Sequence, residues 1–369
     1  MKFQTTRNDL LDKIIFASKT TTPKSTIFVL GGIMLDVDEI LNIYSTDLEN
    51  SINITSKVNV IKKGRVVVPV KILINILKSF PEAKIELELL TQTNQLKITC
   101  QNAVLTINTY SIEEYPKFPK IKKENPFFIN INKFKNLISK TLISTSVDEN
   151  RTILTGVLME IEGNKLKMAA TDSYRLSFIE SEINFKKGSI KVVVPYKTLD
   201  TILKTEAVDG KIEINIEENQ ISFILEKENN TKTIIISRLL SGKFPEYNKL
   251  IPSKLKHTIV VDKEKILGVI KRVSSISQDN VPIKLKIANG KITVFMSIKE
   301  IGNASEDIEV GYAEEEMEIA FNPAFLIEGI NIIKDKNLLF CINDPLKPVL
   351  LKPEKNENLI YLLMPIRIS

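Results

Sequence analysis

Four polar side chains in a row, Asp172, Ser173, Tyr174 and Arg175, follow an apolar run in the stretch AATDSYRLSF (169–178). A carboxylate, a hydroxyl, a phenol and a guanidinium at that spacing suit acid–base chemistry, a metal site, or the polar rim of a binding pocket. A second carboxylate is on offer in IYSTDLENSI (43–52), where Asp47 follows a threonine as Asp172 does. Other catalytic parts are scarce. The chain has 1 histidine, His257, beside Lys256 in a polar stretch, and its 2 cysteines, Cys100 and Cys341, fit no metal-ligand spacing. Neither a GxxxxGK[ST] nor a GxGxxG pattern is present, and the 13 glycines are scattered. No catalytic residue, metal site or cofactor is expected.

The elements that must position these residues belong to an ordinary globular chain. Its 369 residues are 43% hydrophobic and 26% charged, enough for two or three domains. No apolar run approaches the roughly 18 residues of a membrane helix. Asp9, Asp12 and Lys13 interrupt any signal-peptide core, and two distant cysteines suit a reducing compartment. A cytoplasmic protein without membrane contact is expected.

The chain also repeats itself. GRVVVPVKILINILKSF (64–80) resembles SIKVVVPYKTLDTILKTE (189–206) and, more weakly, EMEIAFNPAFLIEGINII (316–333). Each runs through a proline (Pro69, Pro195, Pro323) into helical spacing, and proline suits a helix opening because its missing N–H has no partner there. Ile72, Leu73, Ile76 and Leu77 are expected on one helical face, as are Leu199, Ile202 and Leu203. A second helix opens each unit, in DLLDKIIFASK (9–19), NKFKNLISKTLIST (132–145) and DKEKILGVIKRV (262–273). Between them lie alternating strands: KIELELL (84–90) sets Ile85, Leu87 and Leu89 against Glu86 and Glu88, and KIEINIE (211–217) repeats the pattern with Ile212, Ile214 and Ile216. The units close alike, at EEYPKFP (113–119), GKFPEY (242–247) and YLLMPIRI (361–368). The reading is an α+β chain of three repeated domains, 1–122, 123–252 and 253–369, each with two helices backed by antiparallel sheets. Asp47 and Asp172 then mark the same strand-end turn in separate domains, which argues against a shared catalytic site.

Charge is unevenly placed. The six helical windows 9–19, 71–78, 132–145, 197–206, 262–273 and 324–336 hold 15 of the 51 Lys/Arg but only 8 of the 45 Asp/Glu. They therefore account for the whole net charge of +6. Lysine is a good helix former on any solvated face, yet a basic helical face is also the footprint of a nucleic-acid surface. Phe16, Phe134 and Phe325 sit at core-like spacing, so no stacking platform for single strands is visible, and sequence-blind contact with duplex phosphates fits better.

These segments resemble the bacterial DNA sliding clamp family, the beta subunit of DNA polymerase III. The likeness runs from MKFQTTRNDLL through TDSYRL and GKFPEYNKLIP to YLLMPIRIS. No one motif is specific, but their order and spacing together are. The resemblance implies three DNA-clamp domains per chain and a head-to-tail homodimer closing a six-domain ring. Helices would line a hole passing double-stranded DNA. Such a clamp performs no reaction; it tethers the replicative DNA polymerase and requires a clamp loader.

The resemblance further implies a pocket for other proteins with short, extended Leu/Phe-containing motifs. Matched residue by residue, the pocket comprises Leu154, Thr171, Ser173, Tyr174, Arg175 and Leu176; Pro245, Lys249 and Leu250; and Leu362, Met364, Pro365, Ile366 and Arg367. DNA-facing positions are Lys24 and Arg151 on loops, with Lys13, Lys71, Lys135, Lys140, Lys197, Lys271 and Arg272 on the helices. Leu105 and Ile107 of one subunit would meet Ser275 and Ile276 of the other. Where the family usually has Gly-His, this chain has Ser173-Tyr174, a change that narrows or lids the pocket; the pI of 8.9 is basic for the family, and the tail runs on to Ser369. The alternatives are a non-ring, sequence-nonspecific DNA-binding protein using the same helices, and an enzyme using Asp47 and Asp172.

Overall fold

The computed structural model describes the chain except for residues 23–24, 124–125, 186–187, 207–208, 228–230, 278–280, 313, 356–357 and 368–369. The first repeat runs β1 (Lys2–Thr6), α1 (Arg7–Ala17), β2 (Gly32–Val37), β3 (Leu41–Thr46), β4 (Asn50–Ser56), β5 (Asn59–Lys62), β6 (Gly64–Pro69), α2 (Val70–Ser79), β7 (Lys84–Leu90), β8 (Gln95–Cys100) and β9 (Ala103–Asn108). The second has β10 (Phe127–Asn130), α3 (Ile131–Thr141), β11 (Gly156–Glu162), β12 (Lys165–Thr171), β13 (Arg175–Glu182), β14 (Ser189–Pro195), α4 (Tyr196–Leu203), β15 (Lys211–Ile216), β16 (Gln220–Lys227) and β17 (Thr231–Arg238). The third has β18 (His257–Asp262), α5 (Lys263–Ser274), β19 (Ile283–Ala288), β20 (Lys291–Ile298), β21 (Gly302–Glu309), β22 (Met317–Phe321), α6 (Pro323–Asn331), β23 (Asn337–Ile342), β24 (Val349–Pro353) and β25 (Leu359–Leu363).

Local sequence explains most of these elements. In β7, Ile85 and Leu87 are buried, while Glu86 and Glu88 point outward and pair with Lys2 at 2.8 and 3.3 Å. Side-chain caps open α1 (Thr6), α3 (Asn130, accepting from the Lys133 N–H at 3.0 Å), α5 (Asp262) and α6 (Asn322).

Two expectations need correction. The buried stripe of α2 is Val70, Leu73, Ile76 and Leu77, whereas Ile72 is 49% exposed. The helix starts at Val70, and that residue sets which side faces the sheet. Nor do the three prolines share one role. Pro323 occupies the first turn of α6, but Pro69 is the cap residue before α2 and Pro195 ends β14 before α4 begins.

All strand pairs are antiparallel, and they divide between two compact units. One unit, residues 1–135 and 197–239, holds a five-stranded sheet β5-β1-β7-β8-β9 and an eight-stranded sheet β10-β15-β16-β17-β4-β3-β2-β6. The other, residues 136–196 and 240–369, holds an eight-stranded sheet β14-β11-β12-β13-β25-β24-β23-β18 and a four-stranded sheet β21-β20-β19-β22. Each eight-stranded sheet is fused in the same way: the fourth strand of one repeat (β4, β13) pairs with the last strand of the next repeat (β17, β25). The corresponding strands β9 and β21 are sheet edges.

Candidate partner-binding and nucleic-acid surfaces

The Thr171–Arg175 turn is built by its own side chains. The Thr171 hydroxyl donates to the Arg175 carbonyl at 2.7 Å and accepts from the Ser173 N–H at 3.2 Å. Asp172 Oδ1 accepts the Tyr174 and Arg175 N–H groups at 2.9 and 3.0 Å, and Ser173 takes φ +81°. The first repeat makes the same turn. Thr46 donates to the Asn50 carbonyl at 3.0 Å, Asp47 Oδ1 accepts from Glu49 and Asn50 at 3.1 and 2.6 Å, and Leu48 takes φ +76°. Both carboxylates are spent on backbone N–H groups. Their second oxygens are taken as well, Asp47 by Lys197 and Asp172 by Arg175 Nε at 2.9 Å. The equivalence read from the sequence holds, and the two aspartates have structural work.

Arg175 is only 8% exposed. Its guanidinium lies over the Phe325 ring, 4.1 Å from the centroid, and pairs with Asp172 and with Glu328 of α6. Burial works against the cation, but the neighbouring Tyr361, Glu328 and Asp172 outweigh it and hold the guanidinium above its ordinary pKa. Tyr361 donates to the Phe325 carbonyl at 2.7 Å, and burial pushes its phenol above the usual tyrosine range. The sequence alone suggests a contact residue removable without disturbing the fold. The structure makes Arg175 a positioning residue tying β13 to α6.

The neighbouring residues of β13 and β25 belong to an apolar core cluster. Leu154, Leu176 and Leu362 are buried together with Phe244, Tyr247, Leu158 and Ala169. Thr171 is also buried. Tyr247 clamps the 244–250 segment to the sheet by stacking on Phe178 at 5.5 Å and donating to Glu160 at 3.0 Å. That places Pro245 and the Glu246-paired Lys249 in the open, and leaves Leu250 48% exposed. Strand β25 pairs Leu362 with Leu176, and past its end the Met364 N–H donates to the Tyr174 carbonyl at 2.9 Å. Met364, Ile366 and Arg367 are exposed and Pro365 half-buried, with Ile366 anchored on the Ala320 carbonyl at 2.8 Å. Tyr174 is 62% exposed. All fourteen pocket residues lie in one compact unit. Sequence reasoning passes over Phe325 as core; its spacing of three from Glu328 on α6 is the signal that a shared helix face was present.

The matching place in the first repeat is filled. Ala169 lies opposite Leu158, but the corresponding partner of Met34 is Tyr44. The Tyr44 ring sits 5.2 Å from Phe118 and packs against the cluster of Val29, Val67 and Tyr115, as Tyr110 also does. Asn50 stands where Arg175 stands and accepts from Thr198 at 2.8 Å, Thr198 and Phe325 each being the third residue of its helix.

The proposed DNA-facing residues fall into distinct settings. Lys71 and Lys271 are exposed. Lys13 pairs with Asp9, Lys197 with Asp47, and Lys135 donates to the Thr205 carbonyl. Arg151 pairs with Asp148 at 3.0 Å and donates to Ser173 at 3.0 Å, so it braces the pocket turn. Arg272 is held by Glu306 of β21 at 2.6 and 2.8 Å. Lys140 requires a correction: it is 1% exposed and presents no charge to a ligand. Three residues after Leu137 and next to Thr141, it falls on the buried stripe of α3. Lys24 lies outside the described residues, as does the end of the tail, 368–369.

Of the joint residues, Ile107 is buried and Leu105 half-buried on edge strand β9. Ser275 caps α5 and Ile276 follows it, and α5 packs against the other free edge, β21.

An architecture of three such repeats is that of the solved sliding clamps. The chain superposes over its full length on a DNA polymerase sliding clamp from Bacillus subtilis (TM-score 0.93, 27% identity) and on a putative DNA polymerase III beta subunit from Eubacterium rectale (TM-score 0.92, 25% identity), in each case covering 100% of both chains. Family models for the N-terminal, central and C-terminal domains of the DNA polymerase III beta subunit match residues 1–119, 128–246 and 248–367. The chain belongs to the DNA polymerase III beta subunit family. A curated relative, the beta sliding clamp of Chlamydia pneumoniae, is 26% identical over 373 residues, covering 100% of this chain and 99% of that one.

Proposed function

We propose that two copies of this chain close head to tail into a ring around double-stranded DNA, and that the ring serves as a processivity clamp in the cytoplasm. The observation that supports it most is the pair of free edges. Fourth strands β4 and β13 are completed by the last strands β17 and β25, while among the described residues fourth strand β21 and last strand β9 lack the equivalent neighbour. A second copy supplies both, and a heterologous contact used twice closes a dimer. Each repeat would then be one domain, with boundaries near residues 122 and 252.

The repeats also give the register. Ser237 faces Asn50, and Leu363 faces Arg175. The fourth strand starts two residues after the left-handed residue of its turn: Leu48, Ser173 and Glu300. Leu105, Ile235 and Tyr361 occupy equivalent places in the last strands, opposite Ile98, Phe223 and Leu351. The joint therefore sets Leu105 opposite Ala304 of the second copy, and Ile107 opposite its Gly302.

The surface around Leu176, Leu362 and Phe325 takes a short extended peptide from the replicative DNA polymerase, the clamp loader or other partners. Its role is not chemical. A ring that cannot leave DNA sideways makes each polymerase rebinding an intramolecular event at high effective concentration. Sequence-blind phosphate contacts from basic helices leave it free to slide.

Light scattering over a dilution series tests the joint. The chain is expected at about 84 kDa, twice its 41.8 kDa, and Leu105→Glu at the chain mass. A parent chain that is monomeric at every concentration, with its fold intact, would reject the ring.

A further inference from the structure

Resting on the reading of this surface as a partner-peptide pocket, we propose that Tyr174 is a displaceable lid. Its ring occupies the Phe325–Arg175 platform in the free chain and competes with the incoming peptide's anchor side chain for that platform.

The backbone of Tyr174 is fixed at both polar groups. Its N–H donates to Asp172 Oδ1 at 2.9 Å, and its carbonyl accepts from the Met364 N–H at 2.9 Å. Ser173 before it is held in the left-handed region and accepts from Arg151 at 3.0 Å. Movement is therefore left to the two side-chain torsions, and an exposed side chain turns about such bonds far faster than a peptide arrives. The ring is 62% exposed, and its aromatic neighbour among the described residues is Phe325, at 6.5 Å between centroids and 31° between planes. Phe325 itself does not yield. Arg175 covers it at 4.1 Å, and the Tyr361 hydroxyl holds its carbonyl at 2.7 Å. A mobile ring thus rests on a rigid one, beside the exposed Met364 whose N–H meets the Tyr174 carbonyl.

A single exposed ring pair favours the closed arrangement only modestly. When the binding-competent state is a fraction of the population, apparent affinity drops by that fraction. Closing at that strength weakens partner binding by roughly three- to tenfold. The lid acts equally on every peptide whose anchor needs Phe325. It thereby raises the threshold for weak partners without changing their order.

The direction of one substitution separates a lid from a wall. Calorimetry with a short acetylated peptide ending in Leu-Phe is expected to show Tyr174→Ala binding roughly three- to tenfold tighter than the parent chain, with Tyr174→Phe retaining the weaker binding because it keeps the ring. Unchanged or weaker binding by Tyr174→Ala overturns the lid and makes Tyr174 a bystander or a contact wall. The chain has no tryptophan, so Tyr174→Trp supplies a lone reporter. Its emission is expected to move to the red on saturation with peptide, as the ring leaves Phe325 for water; a blue shift contradicts the proposal. If the folded parent chain does not bind the peptide at all, the pocket reading fails and the lid with it. If it binds but Tyr174→Ala does not tighten, only the lid fails.

Discussion

The Arg175 guanidinium lies 4.1 Å from the centre of the Phe325 ring and joins a strand of the second repeat to the first helix turn of α6 in the third. One cation thus adds a side-chain tie between β13 and α6 to the β13–β25 pairing that fuses these two repeats. Lysine cannot replace it, because an ammonium lacks the planar fork that meets Asp172, Glu328 and the ring together. Arg175→Lys is expected to lose about 2 kcal/mol of stability. That figure is held below the usual cost of breaking a buried pair because Glu328 is half exposed and Asp172 keeps its backbone donors. Peptide affinity should fall by about tenfold or more as the platform loosens, and denaturant titration with calorimetry reads both effects.

Gly329 tests the same tie from behind. A Cβ built there would lie well inside van der Waals contact distance of the Tyr361 ring. Gly329→Ala is expected to cost about 1–3 kcal/mol by overpacking and to weaken peptide binding through Tyr361 and Phe325. An equal loss of stability with peptide affinity untouched would show that Tyr361 does not position the pocket.

Alkaline pH should unfold the chain in a defined window. Burial keeps the phenols of Tyr115 and Tyr361 neutral beyond the ordinary tyrosine range of about 10. The unfolded chain ionises there first and holds fewer protons, so stability is intact below about pH 10 and falls as pH rises above it. Each group steepens the fall by about 1.4 kcal/mol per pH unit. Denaturant titrations at successive pH values measure the slope, and Tyr115→Phe should flatten it. Phenolate absorbance reaching full amplitude near pH 10 in the still-folded protein would refute this account.

DNA binding should depend on exposed lysines rather than on helix charge as such. Lys71→Ala with Lys271→Ala is expected to lower the slope of log affinity against log salt by about 2, since each phosphate that a lysine neutralises contributes about 0.9. An unchanged slope would place the duplex elsewhere.

Three repeats were legible because two periodicities alternate along the chain in a fixed order. The pairing that fuses the repeats was not, since β4 and β17 lie far apart in sequence and nothing local records their register. The Thr-Asp turn could be read because its side chains bond their own backbone. From sequence Arg175 reads as a pocket contact removable without disturbing the fold, and only tertiary packing from α6 reveals it as a buried tie. Lys140 misled for the same reason, its charge counting toward a basic face that its side chain does not join.

The most direct measurement is retention on DNA. The parent chain, loaded onto closed circular duplex and washed in high salt, is expected to stay until a single cut linearises the circle, and then to leave from the ends. Equal release from circular and linear DNA, governed only by salt, would contradict a ring and favour an ordinary nonspecific DNA-binding protein.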